Sequence, residues 1–382
     1  ATMVYLDYNA TTPLDEKVQQ AMKPYIEGRF GNPSSSHWYG VKEKEAVAKA
    51  REEVADLIGC SSEEVFFTSG GTESINWALK GTAERLRKTK RHIVTSAAEH
   101  VAVLECCKYL EEVHGMEITH VGVNEYGEVD PEQVRAAIRE DTALVTIMLA
   151  NNETGTINDI RSIAQIARSK GVLVHTDASQ AIGKIPVDVN DLGVDFLTVA
   201  GHKLYAPAGV GALYIRHGTE LPNFMHGAGH ERGRRAGTEN TMHLVALGAA
   251  CKVCKDNLLK DSEHLRKMRD LLHDLLAKAI PGIELNGHPE RRLPNTLNIS
   301  FPISSPTNDQ IIAQTADRLA FSAGSACHAG QTGHVSHVLK AMNISKDKAF
   351  RAVRLSVGRP TTDQDIALAA SLLAGAGRSS HR

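Results

Sequence analysis

The chain has 382 residues, 42% hydrophobic and 23% charged, with 43 Lys and Arg against 45 Asp and Glu for a formal net charge of −2. This is the composition of a globular protein, and the near-balanced charge gives no bulk footprint for a nucleic-acid partner. No apolar run approaches the ~20 residues that span a bilayer, and residues 1–9 lack a basic region followed by an apolar one, so neither a membrane span nor a secretory signal is expected.

In chain order, Glu64–Thr68 reads as a strand and the stretch from Thr72 as a helix. Further strands are expected at His92–Thr95, Ala143–Met148, Gly171–His175, Asp195–Val199 and Gly211–Ile215, with an amphipathic helix over Ile160–Lys170. Strand and helix alternating in this way predict an α/β fold with a mostly parallel, doubly covered sheet. Past about Ala250 the composition shifts. Residues 252–279 are charged with apolar periodicity and predict one long helix leaving the main body. A strand at Leu297–Phe301, a helix near 308–318, a Gly/Ser-rich loop and a final pair of helices follow. The length exceeds one core, so two domains are expected: residues 14–255 as the large one, and 1–13 with 256–382 as the smaller one.

Three motifs sit just past expected strands, where open α/β sheets bind ligands. Thr68-Ser69-Gly70-Gly71-Thr72-Glu73 runs from a strand into a helix. Glycines there let backbone N–H groups approach an anion at a helix N-terminus; the plainer reading is a turn capped by Thr72. His175-Thr176-Asp177-Ala178-Ser179-Gln180 brings a carboxylate to a strand end, where it could equally cap a helix. Gly201-His202-Lys203 brings an amine that, once desolvated, forms a Schiff base with a carbonyl; most lysines are merely surface groups. Six cysteines are sparse for this length, so reduced thiols and a cytoplasmic setting are expected. Cys327 lies in the Gly/Ser-rich loop with His328 and His334 nearby, the surroundings of a reactive thiolate rather than a core cysteine. Cys251 and Cys254 form a Cys-x-x-Cys on the expected long helix without the second pair a zinc site needs, and no metal site is expected.

Taken together the segments resemble the aminotransferase class V family, in particular cysteine desulfurases of the NifS type and selenocysteine lyases. The resemblance runs from Leu6-Asp7-Tyr8-Asn9-Ala10-Thr11-Thr12-Pro13 and Gly31-Asn32-Pro33-Ser34-Ser35 through Ser69–Ser74, Glu99-His100 and Ala150–Gly155. It continues through Asp177–Gln180, Gly201–Lys203, Arg235–Asn240 and Val353–Ser356. It implies a fold type I pyridoxal-5'-phosphate enzyme with a seven-stranded sheet in the large domain and the catalytic cysteine loop in the small one. By the same resemblance, Lys203 holds the cofactor as a Schiff base, His100 stacks on its ring and relays a proton, Asp177 pairs with the ring nitrogen and Gln180 with the phenolic oxygen. Gly71, Thr72 and His202 bind the phosphate, with Thr238 supplied across a homodimer. Asn32, Asn152 and Arg354 face the substrate, Asn152 also touching the cofactor, and Cys327 takes the substrate's sulfur as a persulfide.

Two departures from the family pattern bear on function. Ala200 stands where many desulfurases carry a phosphate-binding Ser, and Ala326-Cys327-His328, nine residues before Ser336, looks closer to selenocysteine lyases. Tyr205-Ala206-Pro207-Ala208-Gly209 also replaces the usual Tyr-Gly-Pro-Lys-Gly. Cysteine desulfurase is the first reading and selenocysteine lyase the runner-up. An aminotransferase or decarboxylase would need no thiol, and a scaffold without catalysis would bind no cofactor. The implied partners are a small amino acid and a protein accepting sulfur or selenium, such as an iron–sulfur scaffold, a tRNA-thiolation relay or a selenophosphate synthetase.

Overall fold

The computed structural model describes residues 3–323 and 335–378. Its strands, in chain order, are β1 (Val4–Tyr5), β2 (Val65–Thr68), β3 (His92–Ser96), β4 (Glu117–Val121), β5 (Thr142–Thr146) and β6 (Leu173–Asp177). Then come β7 (Phe196–Ala200), β8 (Gly211–Ile215), β9 (Glu284–Leu285), β10 (Thr296–Ser300), β11 (Leu319–Ala320) and β12 (Ala352–Ser356). Among the described residues, seven form one sheet in the order β2-β8-β7-β6-β5-β3-β4. Only β8 runs against its neighbours, antiparallel to both β2 and β7.

The central strands are apolar runs because both faces are covered. Successive residues enter opposite cores: Ile93, Leu144, Phe196 and Leu213 pack with Trp77 and Leu110 on one face. Val94, Val145, Leu197 and Tyr214 pack with helices on the other. The edge strand β4 was not anticipated. Its Glu-Ile-Thr-His residues stay partly or fully exposed and only Val121 is buried, so no apolar run marks it.

A second sheet, β12-β10-β9, is antiparallel, and β1 pairs in parallel with β11. Their core gathers Val4 and Leu6 with Leu272, Leu297, Val353 and Leu373. The chain start thus returns to segments more than 300 residues away. The long helix runs Thr241–Ala279, 39 residues or about 58 Å at 1.5 Å per residue. It begins eleven residues before the expected start, because most of Leu244–Cys254 is buried in the first core and Lys252 is its one exposed side chain, too little to mark a polar face. Its second half, Leu265–Leu276, belongs to the second core. The expected final pair of helices corrects to two short helices, His337–Ala341 and Lys346–Ala349, then β12, then the helix Asp363–Gly377.

Candidate active site

The C-terminal ends of β2, β3, β5, β6 and β7 converge on a cavity of about 170 Å³. Gly71 and Thr72 open the helix Gly71–Leu86 directly after β2. His100 caps the helix Val101–His114 after β3, and Asn152 follows β5. Asp177 is the last residue of β6, and Gln180 lies three residues on. His202 and Lys203 sit in one 3₁₀ turn after β7. A larger surface cleft between Lys80, Arg87, Tyr109 and Phe224 takes in none of these residues.

The helix of Gly71 begins with Gly70, which has no side chain to accept from the first turn, so its N–H groups remain for an anion. A Cβ on Gly71 would lie 3.3 Å from the Ala200 methyl and 3.5 Å from Ser179 Oγ. Glycine therefore keeps this corner open. Ser179 lines the cavity beside Ala200 and offers a hydroxyl where residue 200 offers none.

Asp177 is buried, and its Oδ1 accepts from the Ser179 N–H at 3.0 Å. His175, two residues earlier on the strand, is held between Thr146 Oγ1 and Thr198 Oγ1, each 2.8 Å away. Burial pushes its imidazole down to about 4, so it is a neutral prop under Asp177. His100 Nδ1 accepts from Ala102 N–H at 3.0 Å, which leaves the ring proton on Nε2. Burial lowers its basicity, opposed by Asp177 and reinforced by Lys203. His202 is pushed down to about 4 by burial, then by Lys203 and His100. The Lys203 amine donates to the carbonyls of Asn9 and Ala10.

Arg354, on β12, reaches the cavity rim by donating from one terminal nitrogen to the Asn152 carbonyl at 2.9 Å and from the other to Asp7 Oδ1 at 3.0 Å. Its buried Nε has no partner among the described residues. Asn32 and Thr238 are exposed and do not line the cavity. Asn32 closes a local turn, accepting from Ser34 N and Oγ. Cys327, His328 and His334 lie outside the described residues.

The other five cysteines are free thiols. Burial pushes Cys60 up to about 12 and Cys106 and Cys254 up to about 11, and raises Cys107 and Cys251 as well. None of these is a ready thiolate. Cys251 and Cys254 are buried in the long helix, and no group of metal-ligating side chains occurs among the described residues.

Sequence reasoning missed Asn9, His175, Ser179 and Lys184 as site residues. The first three lay inside motifs already singled out. The signal for Lys184 was a single cation inside the apolar run Ala181-Ile182-Gly183-Lys184-Ile185.

The sheet order, the carboxylate and amine at neighbouring strand ends and the anion-ready helix start define the class. The chain belongs to the aminotransferase class-V family, whose profile matches residues 4–368. It is 44% identical over 363 residues to a cysteine desulfurase IscS of Dictyoglomus turgidum, covering 95% of this chain and 91% of the relative. It is equally identical over 363 residues to one of Methanosarcina thermophila, covering 95% and 89%. Among solved structures, a NifS-like protein superposes with a TM-score of 0.91 at 37% identity, covering 98% of this chain and 99% of that one. The structure described as SspA in complex with cysteine superposes with a TM-score of 0.83 at 35% identity, covering 94% and 100%.

Proposed function

We propose that the chain is a pyridoxal-phosphate-dependent cysteine desulfurase that converts L-cysteine to L-alanine and carries the sulfur on Cys327 as a persulfide. The observation that carries this reading is the gathering of Lys203, Asp177, His100 and Gln180 around one cavity with an uncapped helix start and an open Gly71 corner. Those groups fit pyridoxal phosphate: donors for a phosphate, a buried carboxylate for a ring nitrogen, an amine for an aldehyde. When bound, the cofactor supplies an electron sink for the substrate's α-carbon.

The protein's own groups then have these tasks. The N–H groups of the first helical turn, with Thr72, Ser179 and His202, would hold the phosphate. Asp177 would keep the ring nitrogen protonated, Gln180 would donate to the phenolic oxygen, and the neutral His100 would pack on the ring. Lys203 would hold the cofactor and move the proton at the α-carbon. Arg354 and Asn152 would orient the substrate's carboxylate, whereas Asn32 is held in its local turn outside the cavity lining.

The Cys327 thiolate attacks the substrate sulfur. An S–S bond forms as the C–S bond breaks, and the electron pair left on carbon takes a proton, giving alanine. Cys327 is favoured for this task because the five described thiols are held protonated by burial. The exposed Thr238 loop suits donation to a second copy of the chain. A sulfur-accepting protein in a reducing, cytoplasmic setting fits five unpaired cysteines. No described helix is long and apolar enough to cross a membrane.

The test is alanine and sulfide release from L-cysteine, with pyridoxal phosphate and reductant added, beside a parallel assay with L-selenocysteine. Lys203→Ala should lose the visible absorbance and all turnover. Cys327→Ala should lose at least 10²-fold in rate on cysteine, the scale of a removed nucleophile. Undiminished transamination by Cys327→Ala would favour an aminotransferase, and a preference for selenocysteine would favour a lyase.

A further inference from the structure

Lys184 is a cation in the wrong solvent. It is 7% exposed, and it pairs with no carboxylate among the described residues. Its Nζ donates to two amide oxygens, Gln180 Oε1 and Asn9 Oδ1, each at 3.1 Å. Burial, then the nearby Lys203 and Arg354, push its amine down to about 7. A buried charge facing only neutral acceptors costs stability, so packing alone would favour an apolar residue of the same shape.

Its partner Asn9 is 1% exposed and is used at every polar atom. Its carbonyl accepts from Gln180 Nε2 at 3.0 Å and from Lys203 Nζ. Its Oδ1 accepts from Lys184 and from Asn295 Nδ2, and its Nδ2 donates to the Asn152 carbonyl and Thr296 Oγ1. Its N–H donates to Ser356 Oγ at 3.0 Å. The hub therefore ties the Gln180 amide and the Lys203 amine to one backbone carbonyl.

An amide can sit either way round in a site, and what surrounds it decides which end faces the ligand. An amine on Lys184 acts here as a donor, so it fixes the oxygen of Gln180 toward itself. Asn9's carbonyl takes one N–H of the other end. The second N–H is then the group left for the cavity that Gln180 lines. We propose that Lys184, acting with Asn9, is a positioning residue that locks the Gln180 amide with its N–H end toward the cofactor's phenolic oxygen. This rests on the pyridoxal-phosphate reading above. Without Lys184 only the Asn9 carbonyl still orients the amide, so its second N–H is no longer held on the phenolic oxygen.

The test uses the loaded full-length enzyme and reads the pH midpoint of its visible absorption band. Proton loss from the cofactor–lysine linkage leaves net negative charge that the Gln180 N–H stabilises. Lys184→Met should therefore raise the midpoint by about one unit, with kcat falling about tenfold while thermal stability is kept or improved. Lys184→Gln, which retains a donor, should shift in the same direction by less; it carries the test if the Met variant does not fold. In a Gln180→Ala background, Lys184→Met should add no further shift, because its effect passes through that amide. A wild-type midpoint in a folded Lys184 variant, or full additivity with Gln180→Ala, overturns the proposal and leaves the cofactor reading standing. Wild-type protein that gains no visible band with pyridoxal phosphate overturns both.

Discussion

Arg354 shows how one side chain serves two structures at once. Its terminal nitrogens bind the Asn152 carbonyl and Asp7, and it is 2% exposed on β12. The planar fork makes both contacts and still leaves donors for a carboxylate, which an ammonium cannot do. Arg354→Lys should raise KM for cysteine about tenfold, equivalent to about 1.4 kcal/mol, with a smaller change in kcat; steady-state kinetics check this. Glu99 makes a different prediction. It is fully buried, with Ser96 Oγ at 2.6 Å and the Met148 N–H at 2.9 Å, and burial pushes its carboxyl up to about 8. An unfolded Glu titrates near 4.3. The folded state therefore binds the extra proton, and stability falls as pH rises from about 4 to about 8. Glu99→Gln keeps both hydrogen bonds without that penalty. Its Tm advantage over the parent should grow by several degrees from pH 5 to pH 8, read by thermal melts at each pH. Residues of this kind show how far sequence reading goes. Asp177 and Lys203 were legible because a strand end and a motif marked them together. Lys184 and Asn9 were not, since their meaning lies in contacts between segments some 170 residues apart.

At the level of elements, the helix Gly71–Leu86 starts on the cavity, with Gly71 and Thr72 in its lining. Gly211 on β8 comes so close to it that an added Cβ would meet Gly70 Cα at 2.8 Å and the Val199 carbonyl at 2.6 Å. The anion corner thus depends on two bare backbones, Gly71 in the helix and Gly211 in the sheet. Gly71→Val should weaken pyridoxal phosphate binding at least tenfold with little change in Tm, measured by equilibrium dialysis and melting. Strands were read well where both faces are buried, as in β3, β5, β7 and β8. β4 escaped because an edge strand with exposed Glu117 and His120 has no periodic signature. β12 was hidden within a stretch read as helical, although Val353–Ser356 had been noticed as a motif.

For the whole molecule, we propose that the boundary between the two bodies falls inside the long helix near residue 255, where its contacts pass from the first core to the second. Arg359 bolts this seam: its guanidinium pairs with Asp15 at 2.8 Å and with Asp261 at 2.9 Å, all three largely buried. Arg359→Ala leaves the buried Asp261 carboxylate without its cation and should cost about 2–4 kcal/mol, read as a lower denaturation midpoint. Length and the shift in composition after Ala250 led to the expectation of two bodies, and the two hydrophobic cores are consistent with the proposed boundary. The stitching of residues 1–13 to the far end was suggested only as a return of the chain. Its atomic basis, Asn9 against Ser356 and Asp7 against Arg354, rests on pairings no local pattern encodes.

That stitching sets an order on synthesis. A ribosome releases Asn9 well before Ser356, 347 residues further on, so until β12 emerges the carbonyl that holds the Lys203 amine has no β12 to seat it. The nascent protein can build its large sheet early, from contacts within residues 65–215. It cannot complete the pocket until β12 leaves the exit tunnel, so on the proposed reading cofactor capture would report that β12 has been made, and products truncated before it should remain colourless.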